Sequence, residues 1–500
     1  MPSDLSRLKS VEWELLGSPL IIEGVSKCRS IWPQPDQITA SRTENYDLHF
    51  IAEGNVVGPM VTVSHRSGEI LSGEELRGNQ INRAEVKVTL ENAFTHGYEI
   101  HGTGRFEAPG TCSVVCREDP ANVPPARVVE YCISRPALGH CPRHTDFYSE
   151  NKPKVDRGIP ESKTPDFWSY ETLAKEFVGS ADSYYICNKH FEVLCTEVQE
   201  EFAPEWVRPI SLQFGPIARA FDSDFRRQII EALSFGLGRR LISVGYTELD
   251  ASNRPYRQIS RAPYSQNLRK ECGDVSYGPC HKEWEMGSFS ESLLSTLSEL
   301  YLTNRQKLSL DEAMISIWIA RGLPPGMDLV AYSGALEVLA RAWLSADEGR
   351  GVYVPKKEFE SNLTRVFTEL ERVKKALIET GQLSDQWNAV MERMRHSNSI
   401  GSHERVRKFL EGVRLPIGDV ETSLLRARHQ YAHGAGLSGE PLEFLMVAKR
   451  GFETFLNRVI LKMIGYNETY VDYSTFGFPV RQIDAPLGGP NGDEKLESPK

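Results

Sequence analysis

The chain has 500 residues, is 40% hydrophobic and 25% charged, and carries a formal net charge of −10. Usage this ordinary excludes a wholly disordered chain or a fibrous repeat, and the acidic balance excludes a general nucleic-acid coat. At about 150 residues per domain, roughly three domains are expected.

No stretch approaches the roughly 18 consecutive apolar residues of a membrane helix. The opening MPSDLSRLKSVEWELLG has acidic residues where a secretory leader needs a basic and then an apolar run. Nine cysteines, scattered from 28 to 280, are too sparse for a secreted disulfide scaffold. A soluble, cytoplasmic protein is the expectation.

Residues 1–205 hold short alternating runs, MVTVSH (60–65), AEVKVTL (84–90) and SVVC (113–116), broken by Gly, Pro and Asn. Alternation with a period of two predicts a β-rich domain. SENKPKVDRGIPESKTPD (149–166) has no period and reads as a linker or long loop. Residues 206–290 are mixed: an Asp-capped helix in DSDFRRQIIEALSFGLG, stopped by glycine, and then a strand in LISVGYTEL. From 291 to 480 the chain reads as successive amphipathic helices with short Gly-, Pro- or Ser-containing connections, a helical bundle. Residues 481–500, rich in Gly, Pro and charge, read as a disordered tail. The fold class is therefore α+β, a β-rich N-terminal region followed by an all-α C-terminal bundle.

Ligand-like spacings occur in the β-rich part. Cys112, Cys116, Cys141 and His144 could supply the four ligands of a closed zinc site. Cysteine is also a common buried apolar residue, and a spacing of four along one strand splays two thiols apart. No metal or cofactor is the main expectation. Phosphate-loop, dinucleotide and Ser-His-Asp fingerprints are absent.

The most informative segment is LLRARHQYAHG (424–434), near the end of a predicted helix and before one last long amphipathic helix. It holds Arg428 and, five residues on, His433 followed by Gly434. Histidine titrates in the range needed to move protons at neutral pH. Arginine is always charged and fork-shaped, which suits a phosphate. At about 100° per residue, positions five apart do not share a face of a regular helix, so a relaxed C-terminal turn is expected at His433.

Arg-x4-His in this setting resembles the HEPN (higher eukaryotes and prokaryotes nucleotide-binding) ribonucleases. Within that family, IARAFDSDFRRQIIEALSFGLGRRLISVGYTEL (217–249) is similar to the region before the HEPN domain of ApeA-type antiphage proteins. The usual motif has a polar residue, most often Asn, directly after the Arg, and His429 stands there in this chain. The resemblance implies a metal-independent endoribonuclease of abortive infection, a toxin-like hydrolase that cuts host RNA, with transfer RNA a candidate. It implies Arg428 and His433 as catalytic residues and a homodimer that joins two motifs in one cleft, with His429 as the alternative second imidazole. It further implies a sensor or regulatory role for residues 1–205 and a phage-derived trigger. Glu337 and Arg341, four apart on an apolar helix, are an ordinary salt-bridge spacing; in the resemblance they support the motif. The competing reading is a non-catalytic HEPN module that binds RNA or nucleotide.

Charge is distributed unevenly. Residues 219–271 hold ten Lys/Arg against six acids, and Arg393, Arg395, Arg405, Arg407 and Lys408 stand against Glu404 alone in 393–408. The second run is a candidate RNA-binding surface, or else a solvated helix face.

Overall fold

The computed structural model describes residues 15–26, 34–56, 73–97, 99–102, 104–119, 124–134, 145–148, 154–157, 168–171, 183–198, 206–215, 217–252, 254–263, 268, 272, 277–280, 290–346, 352–380, 385–432, 442–490 and 492. The architecture is α+β, with a β-rich, barrel-containing N-terminal region and a C-terminal helical bundle. Two compact units divide the chain, Met1–Leu302 and Thr303–Lys500. Among the described residues, no helix is long and apolar enough to cross a membrane.

The first unit opens with β1 (Leu20–Glu23), β2 (Gln37–Arg42), β3 (Leu48–Asn55), β4 (Glu74–Gln80), β5 (Arg83–Thr95), β6 (Glu99–Ile100), β7 (Arg105–Cys112) and β8 (Val114–Glu118). Strands run β5-β4-β1-β2-β3-β7, and Phe94 and Thr95 of β5 pair with Thr111 and Gly110 of β7, which closes a barrel. Alternation dictates the interior: every second residue of LHFIAEGN in β3 is buried, as is every second residue of β7. Ile22, Ile38, Phe50, Val88 and Phe106 fill the centre. A Cβ on Gly110 would overlap the Phe50 ring and the Phe94 carbonyl oxygen. Gly110→Ala is therefore expected to destabilise the barrel unit by about 1–3 kcal/mol, read as a lowered denaturation midpoint.

The same sheet continues through β9 (Arg127–Ser134), β13 (Ser183–Cys187), β14 (Glu192–Glu197), β15 (Arg208–Phe214), β16 (Ile242–Leu249) and β17 (Pro255–Arg261). Helix α1 (Ser223–Leu237) covers one face and buries Phe225, Ile229 and Leu233. Asp222 caps it by accepting from the Asp224 N–H at 2.9 Å, and Gly238 ends it in the left-handed region. The segment 206–290 thus supplies β15, β16, β17 and α1 to the first unit's sheet and core. Leu294, on α2 (Glu291–Asn304), joins that core as well.

The run 60–65 lies outside the described residues; 84–90 falls in β5 and 113–116 largely in β8. The reading of 149–166 as linker needs correction. Lys154–Arg157 is a strand, β11, between β10 (Thr145–Tyr148) and β12 (Trp168–Glu171). Its four residues are too short a run for alternation to show, and pairing on both sides holds them.

The second unit contains α3 (Leu310–Gly322), α4 (Met327–Ser345), α5 (Lys356–Glu379), α6 (Asp385–Arg395), α7 (Ser402–Gly412), α8 (Asp419–Ala432) and α9 (Leu442–Ile464). Helix α9 is the spine, with Phe452, Phe455, Leu456, Val459 and Ile460 fully buried. A hairpin, β18 (Thr469–Val471) and β19 (Val480–Gln482), follows. The reading of 481–500 as a disordered tail is corrected for its first half. Ile483 and Leu487 are buried, and the Gly488 N–H donates to Asp472 at 2.8 Å. Gly and Pro there make turns rather than disorder.

Candidate functional site

Helix α8 carries Arg428. Val420, Glu421, Leu424 and Ala427 form its buried stripe. Arg428 stands one turn past Leu424 and two turns past Glu421, so its backbone position lies on that side of the helix. The side chains of Arg428 and His429, and all of His433, lie outside the described residues.

A network of buried charge that sequence reading missed positions α8. Glu421 and Arg458 are both fully buried and meet at 2.7 Å. The Glu421 carboxylate also accepts from the Leu487 N–H at 2.9 Å and the Gly418 N–H at 3.0 Å. Arg458 donates in addition to the carbonyls of Ile483 at 2.7 Å and Pro416 at 2.9 Å. One ion pair therefore ties together α8, α9, the loop before α8 and the C-terminal segment. Burial pushes the Glu421 carboxyl up and the Arg458 guanidinium down from their ordinary values. Farther along, Gly451 of α9 leaves room for Leu424, 3.2 Å from where its Cβ would be. These contacts make α8 antiparallel to α9.

A second cluster joins α3, α4 and α9. Arg321 forks onto Glu453, with Nε at 2.7 Å, and the Tyr332 hydroxyl donates to the same carboxylate at 3.0 Å. Asp328 is fully buried, accepts from the Gly326 N–H at 2.9 Å, and lies 3.4 Å from the Lys449 Nζ. The sequence signal was Lys449, Glu453 and Arg458 inside the apolar run of α9; charges at such positions need buried partners.

Burial raises the Asp328 pKa above its ordinary value, against the pull of Lys449. The unfolded chain then releases this proton first. Stability contributed here falls as pH rises from the ordinary aspartate value, about 3.9, through the raised one. Asp328→Asn is expected to flatten that slope in denaturation midpoints measured from pH 4 to 7. An unchanged slope would contradict the assignment.

Glu337 and Arg341 both lie on α4. Glu337 accepts from Ser402 Oγ at the start of α7, at 2.7 Å. Arg341 is exposed and borders a depression of about 510 Å³ with Lys307 and Ser309.

The basic run is less free than its count suggests. Arg407 is held by Glu404 at 2.6 Å and by Glu411 at 2.9 Å, one of which lies beyond the counted window. Arg407 in turn keeps the Glu404 carboxyl below its usual range. Arg405 is half-buried and reaches the Ile400 carbonyl at 3.5 Å. Lys408 sits 5.5 Å from the Tyr353 ring centre. Arg393 is exposed, and the Arg395 side chain is outside the described set.

In the first unit, Arg226 and Arg261 share Glu130, at 2.6 and 3.7 Å, and Arg257 meets Glu118 at 3.1 Å. The cationic excess of 219–271 is thus partly neutralised by acids from distant strands.

Of the zinc candidates, Cys112 and Cys116 do not come together. Cys112 belongs to the barrel core and Cys116 to a separate apolar cluster, because the chain bends at Ser113. Burial pushes the Cys112 thiol up to about 12, away from the thiolate a metal takes. Cys141 and His144 lie outside the described residues. Among the described residues there is no group of three or more His, Cys, Asp or Glu able to hold a metal.

Comparison of the chain with protein-family models, with curated proteins and with solved structures gives no match.

Proposed function

We propose that this chain is a cytoplasmic, metal-independent endoribonuclease of the HEPN type, acting in antiphage defence by abortive infection. The observation that carries the reading is the Arg-x4-His motif at the end of α8, before the long helix α9, in an all-α bundle. Arg428, on the α8 side tied to α9, is the residue that holds the scissile phosphate and stabilises its charge in the transition state. His433 acts as general base or acid. The 2′-hydroxyl loses its proton, its oxygen attacks phosphorus, the bond to the 5′-oxygen breaks, and that oxygen is protonated. Products carry 2′,3′-cyclic phosphate and 5′-hydroxyl ends. The second imidazole comes from a partner subunit or from His429. Host RNA, transfer RNA included, is the substrate class, and the β-rich unit senses a phage-derived trigger.

Incubating the purified chain with several RNA classes in EDTA, from pH 6 to 8.5, tests the proposal. Cleavage that persists in the chelator supports it, and cleavage lost in EDTA points to a metal nuclease. RNA binding without cleavage across that range would favour the non-catalytic module, and the intact Arg and His favour the enzyme.

A further inference from the structure

Three buried polar side chains stand in one row across β16, β17 and β8. Thr247 pairs in register with Gln258, and Gln258 with Arg117. Residues directly opposite on antiparallel strands share a face. The row continues into Val129 of β9 and Val88 of β5, both buried. Thr247, Gln258 and Arg117 are themselves only 0%, 1% and 7% exposed. Polar atoms at this depth need partners.

The partners present do not suffice. Arg117 donates Nε to Gln80 Oε1 at 2.8 Å and Nη1 to Gln258 Oε1, and both acceptors are neutral. Among the described residues no carboxylate pairs with it. The nearby acids Asp119 and Glu85 are held instead by Arg83, at 2.8 and 3.3 Å. Burial pushes the Arg117 guanidinium down to about 10, and the Arg83 charge pushes it the same way. Because Gln258 turns its carbonyl oxygen to Arg117, its Nε2 faces away from that contact. Among the described residues Nε2 finds no acceptor, and Thr247 Oγ1 has no partner either.

We infer that this row receives the oxyanion of a small molecule, a phosphate or a carboxylate. Every group left over can donate: Arg117 Nη2, the Gln258 amide and the Thr247 hydroxyl. An oxyanion supplies acceptors to them and the negative charge that the buried guanidinium lacks. A neutral ligand would satisfy the amide and the hydroxyl yet leave that charge unmatched. The site lies wholly in the first unit and stands apart from the nuclease reading, because binding is measured without RNA.

The test is calorimetric titration of the full chain with inorganic phosphate and, separately, with acetate, at an ionic strength held constant with chloride. Saturable binding of at least one of them is expected in the millimolar range, with a matching rise in the thermal midpoint. A preference for phosphate assigns the site to a phosphate-bearing ligand, and a preference for acetate to a carboxylate. Arg117→Met and Gln258→Leu should each weaken binding at least about tenfold. Thr247→Val, which keeps the shape of the side chain, should weaken it several-fold with strand content unchanged. Arg227→Met, which removes an exposed cation on α1, should bind as the wild type does. Absence of saturable binding by both anions would overturn the inference. So would equal affinity in the wild type and the Arg117, Gln258 and Thr247 variants.

Discussion

Replacing Glu421 or Arg458 singly with Ala is expected to destabilise the helical unit by about 3–5 kcal/mol. Each change leaves the other charge buried without its partner, since both side chains are fully buried. Glu421→Ala also removes the acceptor for the Leu487 and Gly418 N–H groups. Arg458→Ala strands the carbonyls of Ile483 and Pro416. Replacing both with Met should cost much less than the sum of the single changes, because no unpaired charge remains. Chemical denaturation of the four proteins, followed by helix content, measures this coupling. Additive losses would mean that the pair is not the link between α8, α9 and the C-terminal segment.

Arg428→Ala and His433→Ala are each expected to lower RNA cleavage by about 10²–10⁴-fold, with stability little changed. Arg428→Lys should not restore activity, since a point charge cannot supply the two-pronged contact of a guanidinium. Cleavage by His429→Ala separates the two sources of the second imidazole. Retained activity assigns it to the partner subunit, and loss like that of His433→Ala assigns it to His429. Toxicity in a host cell should follow the same order. If either Arg428→Ala or His433→Ala keeps the full cleavage rate, the site is elsewhere.

Local signals in the sequence located what local physics decides. The alternation of 84–90 in β5, the Asp222 cap and Gly238 stop of α1, and the apolar periodicity of the helices from 291 onward all sit in the structure where those patterns put them. What stayed hidden depends on distant partners. Closure of the barrel rests on Thr95 meeting Gly110, which no window of local sequence contains. The C-terminal segment looked like a tail because Gly and Pro dominate it. Its order comes from two apolar residues, Ile483 and Leu487, and from backbone bonds to Glu421 and Asp472. The charges inside α9 were visible as letters, but their meaning required knowing that Arg321, Asp328 and Glu421 face them. For the proposed catalytic pair, Arg428 and His433, the sequence supplied the motif. The structure supplies the helix on which Arg428 stands and the ion pair that holds that helix.

Arg226, Arg257, Arg261 and Arg407 are matched by acids from other strands or a neighbouring helical turn.

The most direct test is the chemistry of the RNA ends made by the wild-type chain in EDTA, with His433→Ala as background. The account predicts 2′,3′-cyclic phosphate and 5′-hydroxyl termini, absent with His433→Ala. Termini carrying 5′-phosphate and 3′-hydroxyl, or the same cleavage from His433→Ala, would contradict it.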